Sequence, residues 1–309
     1  MKHLFIINPV AGGIKDQLME KEREIRAIAE SLHINYEIYE TKAAMDACRK
    51  IADDAELPDN LRVYACGGDG TLNECVNGAA KRLNVAITSY PFGTGNDFIR
   101  MFGRDNADRF RNLRSLIGGI VRPLDLIDCN GRYGINICSV GIDARVAADV
   151  HKYSRIPLIG GATGYVVSLI ANVIRGVGQR FRITTEAGTR EMPITLVCAC
   201  NGRFYGGGFN PVPDALPHDG VLEYLIVKAV SRFKISQLAG QYAKGRFREY
   251  PDLITYIRGS HMQIESDREF VVNIDGEIIS ADKISFDLVP EGINFIFPQE
   301  VDFFSGNTR

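Results

Sequence analysis

Val63-Tyr64-Ala65-Cys66-Gly67-Gly68-Asp69-Gly70-Thr71 runs from a short apolar strand into a glycine turn, and Leu72 to Leu83 then carries the apolar spacing of a helix. Glycine permits positive φ and lets a ligand come close to the backbone. The N–H groups at the start of the following helix suit a phosphate. Asp69 is the odd member, because a carboxylate beside phosphates repels them unless it works through a metal or accepts a proton. Its presence points to Mg²⁺ rather than to simple anion binding. Taken alone, Gly-Asp-Gly is equally good surface-turn chemistry.

Working outward from this stretch, the first 130 residues alternate strand and helix. Strands are expected at 4–7, 36–40, 62–66 and 86–90, and helices at 15–32 and 43–54, the second capped by Thr41. Short apolar strands separated by helices predict an α/β domain with a parallel sheet. In such a sheet ligands bind at the carboxyl ends of the strands. Three small-residue loops fall there: Asn8-Pro9-Val10-Ala11-Gly12-Gly13, the loop at Gly67, and Phe92-Gly93-Thr94-Gly95-Asn96-Asp97.

Past Asp128 the texture changes to alternating segments at 132–140, 181–186, 192–200, 221–229, 262–265, 270–275, 284–289 and 293–297. Helical pattern survives mainly at 163–175 and 233–245. This predicts an antiparallel β-sandwich or barrel over 131–297, followed by a tail, 298–309, with the option that the end of the chain returns to the first domain. Residues 156–174 carry no charge, yet Pro157, Gly160, Gly161 and Gly164 interrupt them. They read as a glycine-rich turn and a partly buried helix rather than a membrane span.

The net charge of −2 leaves no footprint of a nucleic-acid binder. Seven cysteines, odd in number and without a Cys-x-x-Cys pair, favour reduced thiols in a cytoplasmic protein. No Gly-Lys pair precedes Ser or Thr, and His-Arg-Asp and Asp-Phe-Gly are both absent, which excludes the P-loop and protein-kinase apparatus. The five histidines form no ligand-spaced cluster.

The chain resembles the diacylglycerol kinase catalytic family of bacterial lipid kinases and, more distantly, sphingosine and ceramide kinases. The matching segments are Asn8-Pro9 with Gly12-Gly13, Gly67 to Glu74, Gly93 to Asp97, Asp125, Asn136 to Gly141, and Asn201-Gly202-Arg203-Phe204-Tyr205-Gly206-Gly207-Gly208. Asp214-Ala215, Asp219-Gly220 and Asp275-Gly276-Glu277 complete them. The resemblance implies an NAD kinase/phosphofructokinase-like nucleotide-binding domain, a β-rich second domain, and ATP as donor. It implies that Asn8, Thr41, Gly67, Gly68, Asp69, Gly70, Thr71, Leu72, Asn73 and Thr94 line the nucleotide, with Asp69 organising Mg²⁺ and phosphates. It makes Glu277 the general base and Asp275 the residue that positions it, although Asp-Gly-Glu is also ordinary hairpin sequence. Asp219, with the carbonyls of Leu216 and Val221, falls where some members hold a structural Mg²⁺. Here Leu216-Pro217-His218 stands where a basic and an acidic residue often occur, so this chain departs from the pattern at that site.

The expected function is an ATP- and Mg-dependent kinase acting on a lipid hydroxyl, diacylglycerol first. The alternatives are another acceptor, such as phosphatidylglycerol, a sphingoid lipid or soluble NAD, and a non-catalytic nucleotide or lipid sensor. A lipid substrate requires peripheral contact with a membrane. Lys228, Arg232, Lys234, Lys244, Arg246 and Arg248 precede the next acid, Glu249, and would serve it, though they equally suit a solvated helix face. Exposed strand edges would give a homodimer a route.

Overall fold

The computed structural model describes residues 1–9, 18–92, 96–142, 144–145, 178–299, 301 and 303. The chain forms two compact units, Met1–Leu124 with Glu291–Arg309, and Asp125–Pro290.

The first unit begins β1 (Lys2–Ile7), α1 (Leu18–Ser31), β2 (Tyr36–Glu40), α2 (Asp46–Ala55), β3 (Leu61–Gly67), α3 (Asp69–Ala79) and β4 (Val85–Pro91). Three short helices follow: α4 (Asp97–Arg100), α5 (Arg104–Arg109) and α6 (Leu113–Ile117). β1 pairs in parallel with both β2 and β3, and β3 pairs in parallel with β4. β1, β3 and β4 are apolar because both faces are covered, and every residue of β4 is buried. α3 lies close on α2, where a Cβ on Gly78 would sit 2.8 Å from the Cys48 carbonyl oxygen. The end of the chain supplies a further strand, with Asn294 and Phe295 parallel to Ala86 and Ile87. Phe295, Phe297 and Phe303 then pack among Phe98, Phe102 and Phe110, with centroid separations from 4.7 to 6.3 Å.

Charge closes the amino-terminal side of this unit. Lys2 and Lys50 each bridge Glu37 and Asp54, at 2.6 to 3.0 Å, and so tie β1, β2 and α2 together. Burial works against these charges, but the two lysines hold the Glu37 and Asp54 carboxyls below their ordinary range.

The strand β5 (Ile120–Cys129) follows. The second unit then contains β6 (Arg132–Gly134), β7 (Ile137–Gly141), β8 (Gln179–Thr185), β9 (Gly188–Cys200), β10 (Leu222–Lys228), helix α7 (Arg232–Tyr242), β11 (Ile254–Gly259), β12 (His261–Ile274) and the first part of β13 (Glu277–Phe297). Its pairings are antiparallel, and β7 and β8 each join β9 to β12. Phe181, Tyr224, Phe270 and Phe286 fill the core between them. The buried Tyr224 hydroxyl donates to the Phe286 carbonyl at 2.9 Å, which removes the cost of an unpaired buried hydroxyl.

Several boundaries differ from those expected. β5 contains Pro123, which argues against a strand by sequence alone. β13 continues through Pro290-Glu291-Gly292, which reads as a turn, by placing Glu291 at φ +49°. α2 starts at Asp46, so Thr41 caps no helix; its N–H instead donates to Ile7 O at 2.9 Å. The uncharged segment 156–174 and the helix expected at 163–175 lie outside the described residues. Among the described residues no helix is long and apolar enough to cross a membrane.

Candidate active site

In the first unit the site is an edge of the sheet. Ile7 is in register with Glu40 on one side and with Cys66 on the other, and Gly67 is in register with Pro91. Asn8, Thr41, Gly67-Gly68 and Phe92 therefore leave the sheet side by side. The order β2-β1-β3-β4 means that the chain winds one way from β1 and then the other, so β1 and β3 flank the switch point. An open α/β sheet offers a ligand its crevice at that point. Thr94, with Gly93 and Gly95, and Gly12-Gly13 lie outside the described residues.

α3 begins at Asp69, three residues before the expected Leu72, so Asp69-Gly70-Thr71 is its first turn. Glycine is tolerated here because the N–H groups of a first turn have no partner within the helix. The helix field at this end favours negative charge. Gly67 must be glycine for close packing, since a Cβ would lie 2.3 Å from Thr71 Oγ1 and 2.8 Å from its Cβ. The Thr71 hydroxyl is buried and makes no hydrogen bond among the described residues.

The Asp69 carboxylate reaches the next loop. It accepts the Asp97 N–H at 2.9 Å and the Phe98 N–H at 3.4 Å, which fixes the start of α4. Glu74, one turn further along α3, accepts the Ala47 N–H at 3.2 Å at the start of α2. Asn73 is buried, and its side-chain oxygen accepts from Asn77 at 3.2 Å. Leu72 is buried as well and serves the core.

In the second unit the site is a turn. Ile274 pairs with Glu277, which leaves Asp275-Gly276 as a two-residue hairpin loop. Both have positive φ, +51° and +100°, as a type I′ turn requires. The hairpin reading of this sequence is therefore correct as geometry, and the turn does more besides. The Asp275 carboxylate accepts three successive N–H groups, those of Ile135, Asn136 and Ile137, at 2.7, 3.0 and 2.9 Å. Charge-assisted bonds of this kind are about twice as strong as neutral ones. Glu277 stands exposed as the first residue of β13.

The segments of the motif set that follow Asn136 and Asn201 are joined to this turn. Asn136 donates to Phe204 O at 2.6 Å, and its own carbonyl accepts the N–H groups of Asn201 and Gly202. A Cβ on Gly202 would meet Asn136 Oδ1 at 2.0 Å. Asn201 donates to Asp125 O and Ile135 O at 2.9 and 2.8 Å. Asp125 accepts the Gly220 N–H at 2.9 Å and donates its own N–H to Pro217 O at 2.7 Å, which pins the loop that carries Asp219.

Asp219 is exposed but already paired. Arg258 Nη2 lies 2.9 Å from its Oδ2, and the Val221 N–H also bonds the carboxyl. Burial raises the Asp219 carboxyl above its ordinary range, and the Arg258 charge opposes that shift. Leu216 and Val221 are half-buried beside it. Arg258 belongs to no motif; only the pairing of β10 with β11 brings it here.

Residues 2–129 match the diacylglycerol kinase catalytic domain, and residues 136–297 match the YegS C-terminal NAD kinase beta sandwich-like domain. A Shewanella frigidimarina (strain NCIMB 400) protein that bears the name of a YegS-like lipid kinase is 30% identical over 249 residues, which cover 78% of each chain. Two crystal structures from Bacillus anthracis str. Sterne share the fold. One has a TM-score of 0.74 at 24% identity, and the other, a diacylglycerol kinase, has 0.66 at 22%; each match covers 97% of this chain and 98% of the other. With both domains matched in order and the Shewanella relative at this identity, the chain belongs to the YegS-like lipid kinase family and is a phosphotransferase acting on an alcohol acceptor.

Proposed function

We propose that this protein transfers the γ-phosphoryl group of ATP to the hydroxyl of a membrane lipid, diacylglycerol before others, giving phosphatidic acid. One observation carries the reading: Asn8, Thr41 and Gly67-Gly68 leave adjacent parallel strands in register, at a switch point, beside the open first turn of α3. This is a cradle for phosphate oxygens. Gly67 keeps it open, because any Cβ there would strike Thr71.

In this mechanism Asn8, Thr41 and residues 67–73 hold the nucleotide, together with Thr94. The N–H groups at the start of α3 receive phosphate oxygens. Asp69, anchored through two amides, keeps a negative charge beside them and would hold Mg²⁺, which neutralises charge on the phosphates in such reactions. Glu277 accepts the proton of the lipid hydroxyl. The hydroxyl oxygen bonds to the γ-phosphorus, the bond from that phosphorus to the β–γ bridging oxygen breaks, and ADP leaves. Asp275 is the positioning residue, because it fixes the turn from which Glu277 projects.

Contact with a membrane would fall to α7 and the residues after it. Phe233 is 73% exposed there, beside Lys234. Two of the basic residues are partly neutralised, since Arg248 pairs with Asp214 at 3.0 Å and Arg246 lies 3.9 Å from Glu249. Lys228 donates to the Asp252 carbonyl at 2.8 Å, so among the described side chains Lys234 and Lys244 are the stronger candidates for anionic headgroups.

The test is transfer from labelled ATP with Mg²⁺ to a panel of diacylglycerol, phosphatidylglycerol, sphingosine, ceramide, undecaprenol and NAD. Label in diacylglycerol above the rest is expected. Label in NAD alone would overturn the lipid reading, and bound ATP with no transfer to any acceptor would make the protein a sensor.

A further inference from the structure

The cation site expected at Asp219 already contains a cation, and it belongs to the chain. β10 and β11 are antiparallel, with Glu223 directly opposite Arg258 and Leu225 opposite Tyr256. This register places Arg258 across from the Glu223 carboxylate and Tyr256 diagonal to it, within reach of long side chains. Glu223 is 3% exposed. Its Oε1 accepts from Arg258 Nε at 3.2 Å, and its Oε2 accepts from the Tyr256 hydroxyl. The far end of the same guanidinium, Nη2, bonds Asp219 Oδ2 at 2.9 Å. One planar group thus bridges two carboxylates through two of its nitrogens, a geometry that the fixed fork of arginine provides and an ammonium does not.

The loop that presents Asp219 is fixed independently, by the bonds of Asp125 to Gly220 and Pro217. Arg203 is committed elsewhere: its Nε donates to Ala215 O at 2.7 Å. Mg²⁺ needs a near-octahedral shell of oxygens at about 2.0–2.1 Å. At Asp219 it would have to displace Arg258 from both carboxylates or accept a guanidinium charge beside its own. The donors present therefore do not fit a divalent ion.

We infer that the Arg258 guanidinium permanently takes the place of a divalent ion at Asp219, so that residues 216–221 are held without metal. The departure at Leu216-Pro217-His218 agrees with this, since a site with a tethered cation has no use for further charged residues that organise a hydrated ion. A tethered guanidinium is present at every Mg²⁺ concentration, whereas a bound ion is present only above its dissociation constant. The inference does not depend on the kinase reading.

Thermal unfolding of the full chain without nucleotide, in EDTA and in 5 mM MgCl₂, MnCl₂ or CaCl₂, tests it. The wild-type Tm is expected to stay within about 1 °C across these conditions. Arg258→Gln, which leaves Asp219 and Glu223 without their cation, is expected to lower Tm in EDTA by about 4 °C or more. A divalent ion should restore at least half of that loss, and the restoration should vanish in Arg258→Gln combined with Asp219→Asn. Two results would overturn the inference: a wild-type Tm that rises with Mg²⁺ and stops doing so in Asp219→Asn, or an Arg258→Gln loss that no divalent ion restores. If Arg258→Gln does not fold, equilibrium dialysis of Mn²⁺ against wild type and Asp219→Asn decides instead. Equal binding supports the tethered cation, and one ion fewer bound by Asp219→Asn refutes it.

Discussion

Asp69 and Asp275 both sit beside glycines, one in each unit, and both accept backbone N–H groups, yet they stand in opposite relations to the chemistry. Asp69 opens a helix whose first turn has N–H groups to offer a phosphate, and it reaches the start of the next short helix, at Asp97 and Phe98. Asp275 lies in a left-handed turn conformation and gathers three consecutive amides from the distant residues 135–137. Asp69 thus anchors a loop while staying at a binding edge. Asp275 is a brace, and the exposed carboxylate that we propose for proton transfer is its neighbour, Glu277. A motif spelled Asp-Gly-Glu can divide structural and chemical work between its two acids.

The largest expected effect separates those two acids. Glu277→Gln should lower kcat for lipid phosphorylation by about 10²–10⁴, the usual range for a general base. Because Glu277 is exposed, Tm should move by no more than about 1 °C. Steady-state kinetics together with thermal unfolding measure both, and an unchanged kcat would remove Glu277 from the reaction.

Asp275→Ala should show the reverse emphasis. Removing the carboxylate strands three part-buried N–H groups, and a cost of about 3–5 kcal/mol follows. Urea unfolding should show a lower midpoint at unchanged slope. Asp275→Asn, which keeps an acceptor oxygen, should recover part of the loss. If Asp275→Ala were no less stable than Glu277→Gln, the division between brace and base would fail.

A smaller effect is expected at the edge of the first unit. Gly67→Ala forces a methyl group against Thr71, and overpacking of this kind costs about 1–3 kcal/mol. Thr71→Gly removes the obstructing side chain, so a double-mutant cycle should reveal a favourable coupling between the two substitutions. Additive losses would place the strain elsewhere. The KM for ATP should rise in Gly67→Ala because the cradle becomes shallower to the ligand.

Much of this arrangement was legible in the sequence because it depends on local rules. Apolar strands with helices between them announced the first unit, and the loops at Asn8 and Gly67 fell where such a sheet binds ligands. The start of α3 was not legible, since Gly68 and Gly70 read as breakers although a first turn tolerates them. The role of Asp275 was hidden because the hairpin accounts for its sequence, while its amide partners lie at residues 135–137. Arg258 carries no signal at all: its importance comes from standing opposite Glu223, and strand register across an intervening helix is a tertiary fact.

The smallest effect returns to the first unit and to a residue outside the site. His3 is buried on β1, and its Nδ1 shares a hydrogen bond with the Tyr64 hydroxyl at 2.9 Å. Burial, with Arg62 and the chain amino terminus adding repulsion, lowers its pKa to about 4. The ordinary histidine value is about 6.5. Between these values the unfolded chain binds a proton that the folded chain refuses, so stability falls as pH drops through this window and is fully present above it. From pH 7 to pH 5 the loss attributable to this residue should be about 2 kcal/mol. His218, also lowered by burial, contributes in the same direction from the second unit, so the wild-type curve alone does not separate the two. His3→Gln, which can still bond Tyr64 but does not titrate, should flatten most of the dependence. If the curve of His3→Gln matched the wild type, the acid sensitivity over this window would not come from His3.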